Sequence, residues 1–419
     1  MVIAERVLMA LVGVLAVACG GSTPPKDTGA SDVADAGNTT ADGGADGDGG
    51  SAENVAAVAV EHGPAGVEAL NTLYTTVTLC RPGTTVCQTI DHVEVDTGSV
   101  GVRVVASVLD AALMLPQEMA ADGNPLVECY QYPDGYNWGP VATADVYIGG
   151  EVAGAVPIQI AGGSGSIGVP PDCSSAGTEE DSVVVLGGNG LIGLGFQQSD
   201  CGSACAARIP QTGSYYSCTG AACTAASVPV AAQVMNPVGL FARDNNGVAV
   251  RLPAIDPAGA VTVTGSLIFG IGTAPNNGLG AAQVIPIDTV NGYFTTAFGG
   301  QSLTASYIDS GSAWYAFPDS SIPQCGGAFA NFFCPPMGLS LTATNTGQNQ
   351  VSIVTPFDVA DAEALIDSGN TAFDDLATTA FFGPSGYFDW GLSFFYGRTV
   401  FTAISGAMTP GGVGPYFAY

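Results

Sequence analysis

From about residue 70 the chain is a succession of short apolar or alternating runs bounded by glycine and proline. "LYTTVTL" (73–79), "HVEV" (92–95), "GVRVVA" (101–106), "ADVYIGG" (144–150), "VPIQIAG" (156–162) and "SVVVLGG" (182–188) form a first group. "AVTVTGSLIFGIG" (260–272), "AAQVIPI" (281–287), "GYFTTAF" (292–298), "FFYGRTVFTAI" (394–404) and "GPYFAY" (414–419) form a second. Period-two alternation, β-branched residues and this spacing predict strands of a barrel or sandwich. Helical periodicity is confined to segments around 107–121, 229–242, 358–366 and 372–382. The expected organisation is mainly β, in two halves.

Before residue 70 the pattern is different. "MVIAERVLMALVGVLAVACGGS" places Arg6 ahead of an apolar run from Val7 to Ala18 that is too short to span a bilayer. Small residues then lead into Cys19, which looks like a bacterial lipoprotein signal with Cys19 as the lipidated residue. The alternative is an ordinary secretory signal followed by a free cysteine. Residues 20 to about 60 are Gly, Ala, Asp, Ser and Thr, an acidic tether with nothing to bury.

Composition narrows the choice. Apolar residues make up 47% of the 419 and charged residues only 11%, enough for one large β domain or two smaller ones. Eight Lys+Arg against 37 Asp+Glu give a net charge of −29, which repels nucleic acid and anionic lipid. Ten cysteines follow Cys19, an even number that implies disulfides in an exported chain. Cys80 and Cys87 would close a hairpin tip, and Cys325 and Cys334 a short loop. Cys201, Cys205, Cys218 and Cys223 allow three connectivities. With no Cys-x-x-Cys pair and two histidines, neither a metal nor a cofactor is expected.

The candidate chemistry lies in Asp-[Ser/Thr]-Gly triplets, which start at Asp27, Asp96, Asp309 and Asp367. Asp27 falls in the tether, and Asp367 follows a helical pattern. Asp96 and Asp309 share a context: strand, turn, strand, with a serine after the glycine (Ser99, Ser312). Each also precedes a glycine-containing apolar run, "GLIGLGF" at 190–196 and "WGLSFFYGR" at 390–398. One half-chain pattern thus occurs twice.

This doubled pattern resembles the pepsin-like aspartic peptidases, over residues 70 to 419. The resemblance implies an all-β, two-lobe acid-protease barrel architecture with a few short helices. It also implies a catalytic pair, Asp96 and Asp309, that activates water between two carboxyls. Thr97 and Ser310 would bond across to the opposite turn; Ser99 and Ser312 would bond the carboxyls from outside. "QYPDGYNWGP" resembles the flap hairpin, with Tyr132 in place of the flap tyrosine. Two positions depart from the family. Arg103 stands where a tryptophan usually supports that tyrosine. Glu94, on the same strand face as Asp96 by alternation, stands where the family is apolar; the two alternatives are a pair with Arg103 or, unpaired, a raised proton affinity of the aspartate pair. The acidic tether cannot serve as the basic pro-segment that covers the cleft in related zymogens.

The expected layout is a signal at 1–18, a disordered tether at 19–62, a first lobe with flap at 63–264 and a second lobe at 265–419. The expected function is aspartic endopeptidase, anchored outside the cytoplasm through Cys19. It would act as a monomer on a peptide or protein in the interlobe cleft, with no nucleic-acid partner. The alternative is a non-catalytic surface lipoprotein that binds a peptide or protein on the same scaffold. Trp138, Trp314 and Trp390 are expected in the core or lining the cleft.

Overall fold

The computed structural model describes residues 53–165, 167–207, 214–220, 222–379 and 386–419. The signal segment, Cys19, Asp27 and most of the tether lie outside the described residues. The tether, expected to reach residue 62, ends earlier. Val55–Val60 alternate exposed and buried side chains and form strand β1, because their apolar face has sheet partners on both edges.

The first half contains β2 (Leu73–Cys80), β3 (Cys87–Asp96), β4 (Val100–Val105), β5 (Leu126–Gln131), β6 (Gly135–Ile148) and β7 (Glu151–Ala161). It continues through β8 (Thr178–Glu179), β9 (Gly190–Leu194), β10 (Tyr215–Thr219) and β11 (Ala222–Ala225). β12 (Gly247–Arg251) and β13 (Val263–Phe269) bridge to β1, and β14 (Val284–Pro286) lies at the far end of the same sheet. The second half builds a separate sheet. Its strands are β15 (Phe294–Phe298), β16 (Gln301–Ile308), β17 (Tyr315–Phe317), β18 (Leu339–Thr346), β19 (Ser352–Val359), β20 (Ala377–Thr379) and β21 (Asp389–Trp390). β22 (Thr399–Ala403) returns to pair with β12, and after the hairpin β23 (Met408–Thr409) and β24 (Gly412–Val413), β25 (Tyr416–Ala418) pairs with β22 and β14. The chain is an all-β, two-lobe fold with only short helices among the described residues, as the sequence implied.

Two threaded turns organise the two lobes. β9 runs parallel to β3 and antiparallel to β4, so that Asp96 pairs with Gly193. β21 runs parallel to β16 and antiparallel to β17, so that Ile308 pairs with Trp390. Each strand–turn–strand therefore straddles a strand from about 80 to 100 residues further on. Glycine permits the close crossing: a Cβ on Gly391 would lie 2.1 Å from the Trp314 carbonyl oxygen. Beneath the second turn, Phe388 stacks on Trp390 at 4.2 Å and on Phe317 at 4.8 Å, a rigid aromatic floor. Trp138, Trp314 and Trp390 are all buried.

Five local expectations are corrected. Residues 107–121 contain a single 3-10 turn, Ala106–Val108, since Pro116 interrupts the helical register. Residues 229–242 form two 3-10 turns, Val230–Ala232 and Pro237–Leu240, each started by a proline or stopped before one. Residues 183–186 are a helical turn rather than a strand, closed by Gly187 at φ 85°. Ala377–Thr379, in the segment expected to be helical, is a strand held beside β17. The helix expected at 358–366 starts later, at Ala362–Asp367, capped by Asp361 on the Ala364 amide, because residues up to Val359 extend β19.

All ten cysteines after Cys19 are paired: Cys80–Cys87, Cys129–Cys173, Cys201–Cys205, Cys218–Cys223 and Cys325–Cys334. Five disulfides belong to an oxidising, extracytoplasmic compartment. No helix among the described residues is long and apolar enough to cross a membrane. Alkylation of the unreduced, denatured protein is expected to modify none of these ten cysteines. Mass mapping checks this, and modification at any of the ten would contradict the pairing.

Candidate active site

The two turns meet across 213 residues of sequence. The Ser310 amide donates to Thr97 Oγ1 (2.9 Å), and the Thr97 amide donates to Ser310 Oγ (3.1 Å). Ser310 Oγ in turn donates to the Val95 carbonyl at 2.7 Å. These reciprocal bonds lock the turns face to face. A Cβ on Gly98 would sit 2.3 Å from Asp309 Oδ2, and one on Gly311 would sit 2.6 Å from Asp96 Cγ. Each carboxyl thus rests against the other turn's glycine, and only glycine leaves that space.

Within each turn the inner carboxyl oxygen is held by backbone. Gly98 and Ser99 amides donate to Asp96 Oδ1 at 2.7 and 3.0 Å; the Gly311 amide donates to Asp309 Oδ1 at 2.7 Å. The outer serines behave unequally. Ser312 Oγ lies 3.2 Å from Asp309 Oδ2 and donates to Asp389 Oδ2 at 2.6 Å. Ser99 contributes its amide only: its buried hydroxyl has no hydrogen-bond partner among the described residues. The symmetrical role expected for the two serines is therefore corrected to one side chain and one amide. Burial, then Asp96, then Asp389 push the Asp309 carboxyl well above the usual range.

Asp389 is a third carboxyl at this centre, and pattern reading passed over it. It is 1% exposed, and its Oδ1 has no hydrogen-bond partner among the described residues. Burial pushes it up to about 7, with Ser312 and Tyr307 opposing. The available signal was a charged residue inside the apolar run "YFDWGL".

The flap is a β5–β6 hairpin turning at residues 132–134, where the Tyr132 amide donates to the Gly135 carbonyl. Tyr132 lines the cavities on both sides of the dyad. Its hydroxyl donates to Asn137 Oδ1 at 2.8 Å, and Asn137 Nδ2 donates to the Glu180 carbonyl at 2.6 Å. Asn137 thus does the supporting work that the resemblance assigned to a tryptophan. Both flap edges are covered, β5 by β10 and β6 by β8. Cys129–Cys173 ties the flap base to the neighbouring helical turn.

Arg103 does not pair with Glu94. Its fully buried guanidinium donates to Glu128 Oε1 at 3.0 Å, reaches Asp200 at 3.8 Å and lies 3.6 Å from the centre of the Tyr130 ring. β4 turns Arg103 away from the cleft, while Glu94 lines it. Burial opposes the charge, but Glu128, both tyrosines and Asp200 outweigh burial and hold the guanidinium ionised. Arg103→Leu is expected to destabilise the fold by about 3–5 kcal/mol, because Glu128 would remain buried without its counter-charge. Urea unfolding measures this; a loss under 1 kcal/mol would contradict a structural role for the pair.

Among the described residues no cluster of three or more His, Cys, Asp or Glu has a metal-binding arrangement. A cavity of ≈120 Å³ lies beside the dyad under the flap.

No curated protein matches the chain. Among solved structures, an aspartic proteinase from Irpex lacteus is similar at 14% identity and a TM-score of 0.47, over 87% of this chain and 96% of that one. A family model described as a protein of unknown function, DUF3443, matches residues 50–419, and the chain belongs to that family.

Proposed function

We propose that the protein is an aspartic endopeptidase of the cell envelope, with Asp96 and Asp309 as its catalytic pair. The observation that carries this reading is the reciprocal Thr97–Ser310 bonding, which holds the buried Asp96 carboxyl and the half-buried Asp309 carboxyl each against the other turn's glycine. Two carboxyls this close share one proton more readily than they both ionise. Asp309, raised by burial and by Asp96, carries that proton and polarises the substrate carbonyl. The Asp96 carboxylate, steadied by two amides, takes the proton of the attacking water. As the tetrahedral intermediate collapses, the departing amine receives a proton from the pair. Tyr132 closes over the scissile bond and limits access of bulk water. The substrate is a peptide or unfolded protein strand, bound by a monomer that a lipid on Cys19 holds at the membrane.

The test is digestion of an unfolded, alkylated protein between pH 3 and 7, with and without a statine-type inhibitor. Inhibitor-sensitive cleavage at some pH in this range is expected. Its absence at every pH would exclude the peptidase and leave the binding-protein reading.

A further inference from the structure

The wall of the cavity beside the dyad carries six carboxyl groups: Glu94, Asp96, Asp134, Glu180, Asp309 and Asp389. No lysine, arginine or histidine lines it. Four of the six, Asp96, Asp134, Glu180 and Asp389, are at least nine-tenths buried. Buried carboxyls in such a concentration are costly unless a positive charge joins them. Among the described residues the buried acceptor Asp389 Oδ1 has no hydrogen-bond partner. Tyr307 and Tyr387 stack nearly parallel on the same wall, 14° apart in plane, and present an aromatic surface. Leu186 and Leu191 give it an apolar side.

We infer that this cavity binds the side chain of an arginine or lysine residue in a peptide, at a position flanking the scissile bond. The inference rests on the peptidase reading for the word scissile, but its binding claim stands apart from catalysis. A guanidinium brings five donors in a plane, can meet Asp389 Oδ1 and can lie on the tyrosines. The aliphatic stem of either residue packs against Leu186 and Leu191. A cavity of ≈120 Å³ has room for about four waters, or for one such side-chain end in their place.

The experiment uses two synthetic peptides that differ only in arginine against citrulline, which keeps the shape and removes the charge. Binding to the full chain is measured by calorimetry, and cleavage sites are mapped separately in a digest of unfolded protein. The arginine peptide is expected to bind at least about tenfold more tightly, as befits charge-assisted hydrogen bonds to buried carboxylates. Asp389→Asn is expected to abolish most of that preference; Glu180→Gln is a second variant should the first fail to fold. Cleavage concentrated beside arginine or lysine supports the inference. Cleavage indifferent to basic residues, with equal binding of both peptides, overturns it and leaves the peptidase standing. Arginine-selective binding without any cleavage supports the inference and removes the peptidase. Equal or absent binding without cleavage removes both.

Discussion

Asp309→Asn is expected to lower peptide hydrolysis by about 10³-fold or more, and at the same time to raise the melting temperature at pH 7. The rate falls because the amide can no longer hold the shared proton, and general acid–base catalysis supplies up to about 10⁴-fold. Stability rises because burial and Asp96 make the ionised form of Asp309 unfavourable in the fold. Asparagine resembles the protonated acid and removes that cost. The gain should be roughly 1–3 °C for a chain of this size. A carboxylate retained for structure alone would behave in the opposite way, with stability lost and no activity to lose. Thermal unfolding and a peptidase assay on the same preparation distinguish the two.

The second large effect is on the pH dependence of stability. Asp309 and Asp200 lie well above the usual carboxylate range; Asp375 and Asp389 are pushed up to about 7. In every case burial is the leading cause. A carboxyl raised in the folded state binds its proton more tightly there than in the unfolded chain. Its contribution is complete below the unfolded value, near 4, and is lost as pH rises through the folded value, which is about 7 for Asp375 and Asp389. Each of Asp375 and Asp389 then accounts for at most about 4 kcal/mol, lessened wherever water reaches the group. Self-repulsion from a net charge of −29 acts in the same direction. The melting temperature is therefore expected to be higher at pH 4.5 than at pH 7.5, by roughly 5–10 °C. Asp389→Asn should flatten the profile. A protein most stable at neutral pH would contradict the buried, protonated carboxyls.

The same groups explain what the sequence disclosed and what it withheld. Asp96 and Asp309 were legible because their chemistry is local: strand, aspartate, hydroxyl, glycine and serine are consecutive, and the unit occurs twice. The cysteine pairs between neighbours, such as Cys80–Cys87, were legible for the same reason. Cys129–Cys173 was not, because its partners meet only when the flap lies against the helical turn at Pro171–Ser174. The partner of Arg103 was hidden for a similar reason, and of the two alternatives the pair with Glu94 does not form. Alternation shows which face a residue takes on its own strand, but Glu128 and Asp200 arrive from other strands and loops. The helix expected at 107–121 failed for a local reason, Pro116, whereas the one expected at 372–382 shows tertiary context overriding local periodicity. β17 supplies an edge on which Ala377–Thr379 becomes a strand. Asp389 was hidden because an acidic residue in a short apolar run looks like a surface position until Ser312 is seen to bond it.

The flap bears on how the site could work. A hairpin covered along both edges and tied at its base cannot swing as a free arm, so access to the dyad is narrow. Such a cleft suits an extended strand threaded lengthwise better than a folded protein.

The most direct measurement is a high-resolution crystal structure of the protein with a statine-type inhibitor. The inhibitor hydroxyl should lie within hydrogen-bond distance of both Asp96 and Asp309, with the Thr97–Ser310 bonds intact beneath it. A hydroxyl that contacts one carboxyl alone, or two carboxyls too far apart to share a single water, would contradict the account.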